Sequence, residues 1–206
     1  MGERLRFEGH ILGVGTTSGV RLVVGSWERS PLGSFSDVMV ERADGHRLLL
    51  APSEEVATFV ASTYTFDEVR LEPVEVTRAD GSWRVRSTSL RVEAQVGGRT
   101  AVGLLLRLVP RRLATSPAWS TLTDPVARVA LRGVRTKGSA GRGRREYYGA
   151  TDAHTVVAAR ASFDGRDLGT LAPVDPPCRF GFSSTPRRPQ LTAVATTVVT
   201  SDAPPR

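Results

Sequence analysis

The sequence predicts a mainly β fold of the α+β class: an antiparallel β-barrel or two packed sheets, with one to three short helices. Three observations carry this. Apolar or small residues recur at every second position through much of the chain; Leu5, Phe7, Gly9 and Ile11 alternate with Arg4, Arg6, Glu8 and His10. A strand with one buried face has that period. Asp44-Gly45, Asp80-Gly81 and Asp164-Gly165 each stand between β-prone runs, the composition of tight hairpin turns. Only one stretch, residues 53–64, shows clear helical spacing.

In chain order, residues 5–11 form the first strand. Gly13, Gly15 and residues 16–19 turn the chain. Residues 20–27 form the second strand, and Ser30-Pro31-Leu32-Gly33 carries turn chemistry. Residues 35–41 and 46–50 flank the first Asp-Gly turn. Ser53 then caps a helix whose first turn holds Glu54 and Glu55, where the positive end of the dipole favours acids. Val56, Phe59, Val60 and Thr63 fall on one face of it. Residues 66–77 and 82–96 alternate around the second turn. Residues 100–109 fit a short helix or a buried strand, and residues 115–126 leave room for another short helix. Residues 126–134 and 155–163 read as strands, followed by the third turn. Residues 179–182 and 191–200 read as closing strands. Residues 1–200 form a single β-rich domain on this reading, with 201–206 as a disordered tail.

The chain has 206 residues and a net charge of +7. A basic chain suggests nucleic acid. Its 28 basic residues, however, are all arginine except Lys137, while isoleucine occurs only at Ile11 and asparagine not at all. The scarce types have AT-rich codons, so the basicity follows gene composition, and it is spread along the surface. Nucleic acid is not the expected partner. Cys178 is the single cysteine, which leaves no internal disulfide and no Cys-rich zinc site; it reads as a packed side chain. The three histidines are scattered, His10 and His46 on the polar phase of strands, and no metal or cofactor is expected. No apolar run reaches the ~20 residues of a membrane helix, and the N-terminus lacks a signal-peptide pattern. The expectation is a cytoplasmic protein without a membrane partner.

Residues 138–154 concentrate the polar chemistry: four glycines, Arg142, Arg144, Arg145, Tyr147, Tyr148, Asp152 and His154. This is neither a Walker loop nor a dinucleotide fingerprint, because no Gly-Lys-Ser/Thr closes it and no amphipathic helix follows. Three arginines on a flexible backbone can fork onto a carboxylate or phosphate. One tyrosine must face the interior of a strand, and its ring and hydroxyl suit an aromatic or polar ligand. Asp152 and His154 are two apart and share a face, so they can pair for general-base work. Ser139 is a loose candidate to extend that pair to a triad.

Two patches resemble the acetoacetate decarboxylase-like family. Residues 30–37 (SPLGSFSD) resemble its Pro-x-Gly-x-aromatic-x-Glu segment, with Asp37 at the position of the acid. Residues 143–152 (GRREYYGATD) resemble its Gly-Arg-Glu-x-aromatic-Gly-x-Pro-Lys segment. The resemblance implies a β-rich, barrel-like fold. It also implies that the Schiff-base lysine of the family's decarboxylase is replaced here by Asp152, which cannot form one. The chain as a whole resembles an uncharacterised family of similar length from GC-rich bacteria.

These readings favour a barrel-like domain that binds a small anionic or polar ligand, without the family's lysine chemistry. Arg142, Arg144 and Arg145 would attract the anion, Tyr147 or Tyr148 would stack or donate, and Asp37, Asp152 and His154 would line the polar end. Two alternatives stand beside it. One is an enzyme, either a divergent lyase acting through Lys137 or a hydrolase using Asp152 and His154. The other is a basic nucleic-acid module using Arg111, Arg112 and residues 142–145.

Overall fold

The computed structural model describes residues 4–110, 137–139, 145–181 and 185–199. Its strands are β1 (Arg4–Thr16), β2 (Arg21–Arg29), β3 (Phe35–Glu41), β4 (Arg47–Ala51), β5 (Glu68–Leu71), β6 (Glu75–Ala79), β7 (Ser82–Arg86), β8 (Leu90–Arg99), β9 (Lys137–Ser139), β10 (Arg145–Phe163), β11 (Arg166–Ala172) and β12 (Gln190–Val199). Two helices, α1 (Glu54–Ala61) and α2 (Ala101–Leu108), interrupt them.

The strands form one continuous sheet in the order β5-β4-β3-β2-β1-β11-β10-β8-β7-β6, with β12 paired to both β1 and β10. The two longest strands make this closure possible. β1 pairs with β12 over residues 4–13 and then with β11 at Gly15 and Thr16. β10 pairs with β12 over residues 145–155 and with β11 over residues 160–163. The result is a closed antiparallel barrel with extra strands, as the alternation and the turns predict. One pair departs from this: β4 and β5 run parallel, because α1 lies between them and returns the chain to the same end.

Local chemistry sets each element. Asp80 and Asp164 both have φ of 50°, followed by Gly81 and Gly165 at 74°. Two successive positive φ angles define the type I′ turn, whose twist suits a hairpin. Ser53 caps α1 by accepting a hydrogen bond from the Val56 N–H. Thr100 caps α2 in the same way, through Gly103, and so resolves residues 100–109 as a helix.

Several boundaries differ from the sequence expectation. Gly13 and Gly15 belong to β1, and the turn comes after Thr16. Residues 66–77 divide into β5 and β6, and residues 82–96 into β7 and β8 around 87–89. Residues 179–181 are not a strand: Arg179 and Phe180 instead use their backbones to meet Glu41 and Thr65. The expected elements at 115–134 and the tail at 201–206 lie outside the described residues.

Both faces of the sheet are covered. The inward face packs Leu12, Val14, Leu22, Val24, Val38, Val40, Leu48 and Leu50 against Trp83, Val85, Leu90, Val92 and Phe163. This interior is filled with side chains. On the other face, α1 lays Val56, Ala57 and Val60 over Leu49 and Ala51. Val174, Cys178 and Phe180 cover Val23 beside it.

Candidate functional site

A cavity of about 60 Å³ lies on this second face, beneath α1 and beside residues 178–180. Alternation puts its lining there. Phe7 and Ile11 of β1, Val23, Gly25 and Trp27 of β2, and Phe35, Asp37 and Met39 of β3 all point to it. The helix side contributes Phe59, Val60, Thr63 and Tyr64. Phe7 meets Trp27 edge-on at 5.8 Å and lies 4.9 Å from Phe59.

Asp37 is the one ionisable carboxyl among the described residues of that lining, and it is only 2% exposed. Its Oδ1 accepts a hydrogen bond from the Trp27 indole N–H at 3.0 Å. Removal from water disfavours its charge more than this one donor restores, so its pKa is pushed up to about 7. Gly25, opposite Asp37 in register, leaves room for the bond. A methyl group there would meet Asp37 Oδ1 and come within 2.7 Å of Trp27 Nε1.

Residues 178–180 are held as a wall by a buried ion pair. Glu41 is fully buried and accepts from Arg21 at 2.8 Å. It also accepts from the Arg179 N–H at 2.6 Å and from Arg179 Nε at 3.0 Å. Cys178, next to this pair, is buried, and burial pushes its thiol up to about 12. A thiol in that state is no nucleophile, which agrees with its reading as a packed side chain.

The polar residues of β10 do not come together as one patch. β10 carries a bulge: Ala150 pairs with Val194, and Asp152, not Thr151, pairs with Ala193. One extra residue reverses the parity of everything after it. Tyr148 therefore packs with Val194, Ile11, Trp27 and Tyr64 on the cavity side. Asp152 and His154 face the other way, into a cup of about 360 Å³ that they share with His10, Arg78, Asp80, Trp83, Leu191 and Ala193.

In this cup Arg78 lies 4.3 Å above the Trp83 ring and donates to Glu28 at 2.7 Å and Ser26 at 2.9 Å. His10 meets the edge of Trp83 at 5.7 Å, and its Nδ1 lies 3.3 Å from Glu28. Burial, and then Arg78, lower the pKa of His10. Asp152 receives a two-pronged bond from Arg99 at 2.8 and 3.0 Å. That fork holds its carboxyl below the usual range.

The expected site residues are thus distributed. Asp37 lines the cavity, and Tyr148 is buried beside it, while Tyr147 is half-buried on the opposite phase of β10. Asp152 and His154 line the cup. Arg142, Arg144 and the side chain of Arg145 lie outside the described residues. His10, read as a surface residue, is a wall of the cup with 28% of its side chain exposed. Trp27, Arg78 and Trp83 carried no signal of their own, because their roles depend on cross-strand register. Among the described residues, no three His, Cys, Asp or Glu side chains are grouped to hold a metal. No helix among them is long and apolar enough to cross a membrane.

No protein-family model and no curated protein matches the chain. Its structure resembles acetoacetate decarboxylases. The crystal structure of acetoacetate decarboxylase from Legionella pneumophila superposes with a TM-score of 0.46 and 9% identity, over 96% of this chain and 85% of that one. A second acetoacetate decarboxylase structure gives 0.44 and 8%, over 96% and 87%. At these values the likeness transfers no residue's role.

Proposed function

We propose that the chain is a small-molecule-binding barrel domain whose ligand is compact and mostly apolar, with one cationic or hydrogen-bond-donating head. The cavity beneath α1 is its site, and Asp37 is the group that orients the head. The observation that carries this reading is a fully buried carboxyl, bonded to a single indole, at the side of an aromatic cavity. Enclosed apolar pockets with one perturbed titratable group are where ligands bind. Among the described residues no arginine or lysine lines this cavity, and the Asp37 carboxyl favours a donor head over an anion.

The volume limits the ligand. A dry cavity of about 150 Å³ takes benzene, so 60 Å³ suits a molecule of roughly two to three non-hydrogen atoms. The binding uses no Schiff base. The position that the resemblance gives to the family's lysine is Asp152, which faces the cup and is engaged by Arg99.

The test is a titration with ethylamine, ethanol and formate, followed by NMR on the Trp27 indole N–H. Ethylammonium should bind at pH 8, where Asp37 is ionised, and about tenfold more weakly at pH 6, where it is protonated. Asp37→Asn should remove that preference. Equal binding to the variant, or no response of the indole to any of the three at either pH, would refute the reading.

A further inference from the structure

We propose that the cup on the barrel-core face binds a compact oxyanion, a planar carboxylate or a tetrahedral phosphate, with Arg78, His10 and His154 as donors, and that binding takes up protons. The site is separate from the cavity and shares no lining residue with it.

The donors converge because three strands bring them there. His10 comes from the even phase of β1, Arg78 from the end of β6, and His154 from β10 just after the bulge. Arg78 is fixed in place by Glu28, Ser26 and the Trp83 ring. A guanidinium has five N–H donors, and these bonds use two of them, so donors remain for a ligand. His10 Nδ1 is buried 3.3 Å from Glu28, and the residue lines the cup. The fork from Arg99 and the bond from its neighbour's N–H occupy Asp152, so that carboxylate is largely neutralised toward an incoming anion. Trp83, Leu191 and Ala193 give the cup an apolar side for whatever the oxyanion is attached to.

The coupling to protons follows from the charges that face the two imidazoles. They are Glu28 from β2, Arg78 and Asp80 from β6 and its turn, Arg99 from β8, and Asp152 from β10; β7 and β12 contribute only Ser82, Trp83, Leu191 and Ala193. With both imidazoles neutral this set carries one net negative charge. With both protonated it carries one net positive charge. An anion favours the protonated form, so it raises both histidine pKa values and binds more tightly as pH falls.

Benzoate and sulfate are suitable probes, because neither changes charge between pH 6 and pH 8. Each is titrated into the full chain by calorimetry, with the histidine ring resonances followed by NMR. At least one should bind at pH 6 and bind about tenfold more weakly at pH 8, while raising the apparent pKa values of His10 and His154. Binding of benzoate alone assigns the cup to carboxylates, and binding of sulfate alone to phosphate-like groups. Arg78→Gln should weaken binding at least tenfold at pH 6. Since that change also removes the stack on Trp83, Arg78→Lys serves as the second variant; it keeps the charge and should retain part of the affinity. His10→Gln with His154→Gln should abolish the pH dependence. Asp37→Asn should leave oxyanion binding intact, which separates this proposal from the cavity reading. Absence of binding by both probes at pH 6, equal affinity at the two pH values, or unmoved histidine resonances would overturn it.

Discussion

The cavity and the cup lie on opposite faces of the same strands, and they treat charge in opposite ways. In the cavity, one carboxyl is taken fully out of water and given one neutral donor; its pKa rises to about 7. In the cup, two of the three acids that line or border it meet arginines: Asp152 meets Arg99, and Glu28 meets Arg78, and both of these carboxyls stay below their usual range. A buried acid without a cation is held nearly neutral, and a half-exposed acid with one is held ionised. Two sites a few residues apart on one sheet can therefore respond to pH in different directions. On β10, a single extra residue puts Tyr148 on the cavity side and Asp152 and His154 in the cup.

The contrast between two deletions beside that residue gives the largest expected effect. Deleting Thr151 should leave regular pairing, with Ala150 and Asp152 still opposite Val194 and Ala193. The variant loses the Thr151 hydroxyl bond to Ala193, about 1 kcal/mol, and should melt cooperatively a few degrees lower. Deleting Ala153 should be far worse. Ala153 is buried and its carbonyl accepts from the Thr100 N–H at 2.9 Å; its loss puts His154 on the wrong face or slips β10 against β8. Loss of the cooperative transition is expected by circular dichroism. Equal melting of the two deletions would show that the bulge does not assign the faces.

Asp37→Asn gives the next effect, and its sign depends on pH. The folded-state pKa of about 7 lies above the ordinary aspartate value of 3.8. The folded chain therefore binds this proton more tightly, so the carboxyl's contribution is fully present below the unfolded pKa and is lost as pH rises through 7. The shift corresponds to about 4 kcal/mol. The variant should be more stable than the natural chain at pH 8 by up to that amount, with the gap closing toward pH 5. Denaturant titrations at several pH values measure it. A gap that does not vary with pH would mean that Asp37 is ionised throughout.

Gly25→Ala should act on the same face with a smaller cost. The new methyl group would press on both partners of the Trp27–Asp37 bond. Forcing one carbon into a packed site costs about 1–3 kcal/mol. Loss of the indole N–H downfield shift would accompany the fall in melting temperature. The equivalent crowding has no counterpart in the cup, which has 360 Å³ of open space.

The contrast also explains what could be read from the sequence. Elements fixed by local chemistry were legible: Asp80-Gly81 and Asp164-Gly165 as turns, Ser53 as the cap of α1, and the period-two runs as strands. Residues 100–109 stayed ambiguous because apolar content alone does not separate helix from strand; the Thr100 cap decides it. Asp37 was singled out through the segment that resembles the decarboxylase-like family, and it lines the cavity. Its partner Trp27 was not, because the pair forms only when Gly25 comes opposite Asp37 across β2 and β3. His10 was misjudged by a sound rule. A polar residue on the alternate phase faces water when a sheet has one covered face, but β1 has both faces covered, and the even phase leads into the barrel core. The split between Tyr148 and Asp152 was hidden for a different reason. No glycine or proline marks the step from Ala150 to Asp152, so the bulge has no local signature.

The smallest expected effect tests the charge balance of the cup. Arg99 and Asp152 are both partly exposed to water, at 30% and 19% of their side chains, so their fork adds little to stability. Arg99→Gln should barely move the melting temperature. It should nevertheless let the Asp152 carboxyl return toward its ordinary range, because the hydrogen bonds from Arg99 are the first cause of its lowering. The carboxylate, ionised at neutral pH but no longer answered by a guanidinium, then favours protonation of the imidazoles it faces. His154 and, less strongly, His10 should titrate at higher pH than in the natural chain, as read from their ring resonances. If both titrate unchanged, Asp152 does not act on them electrostatically, and the cup's response to pH belongs to Arg78 and Glu28 alone.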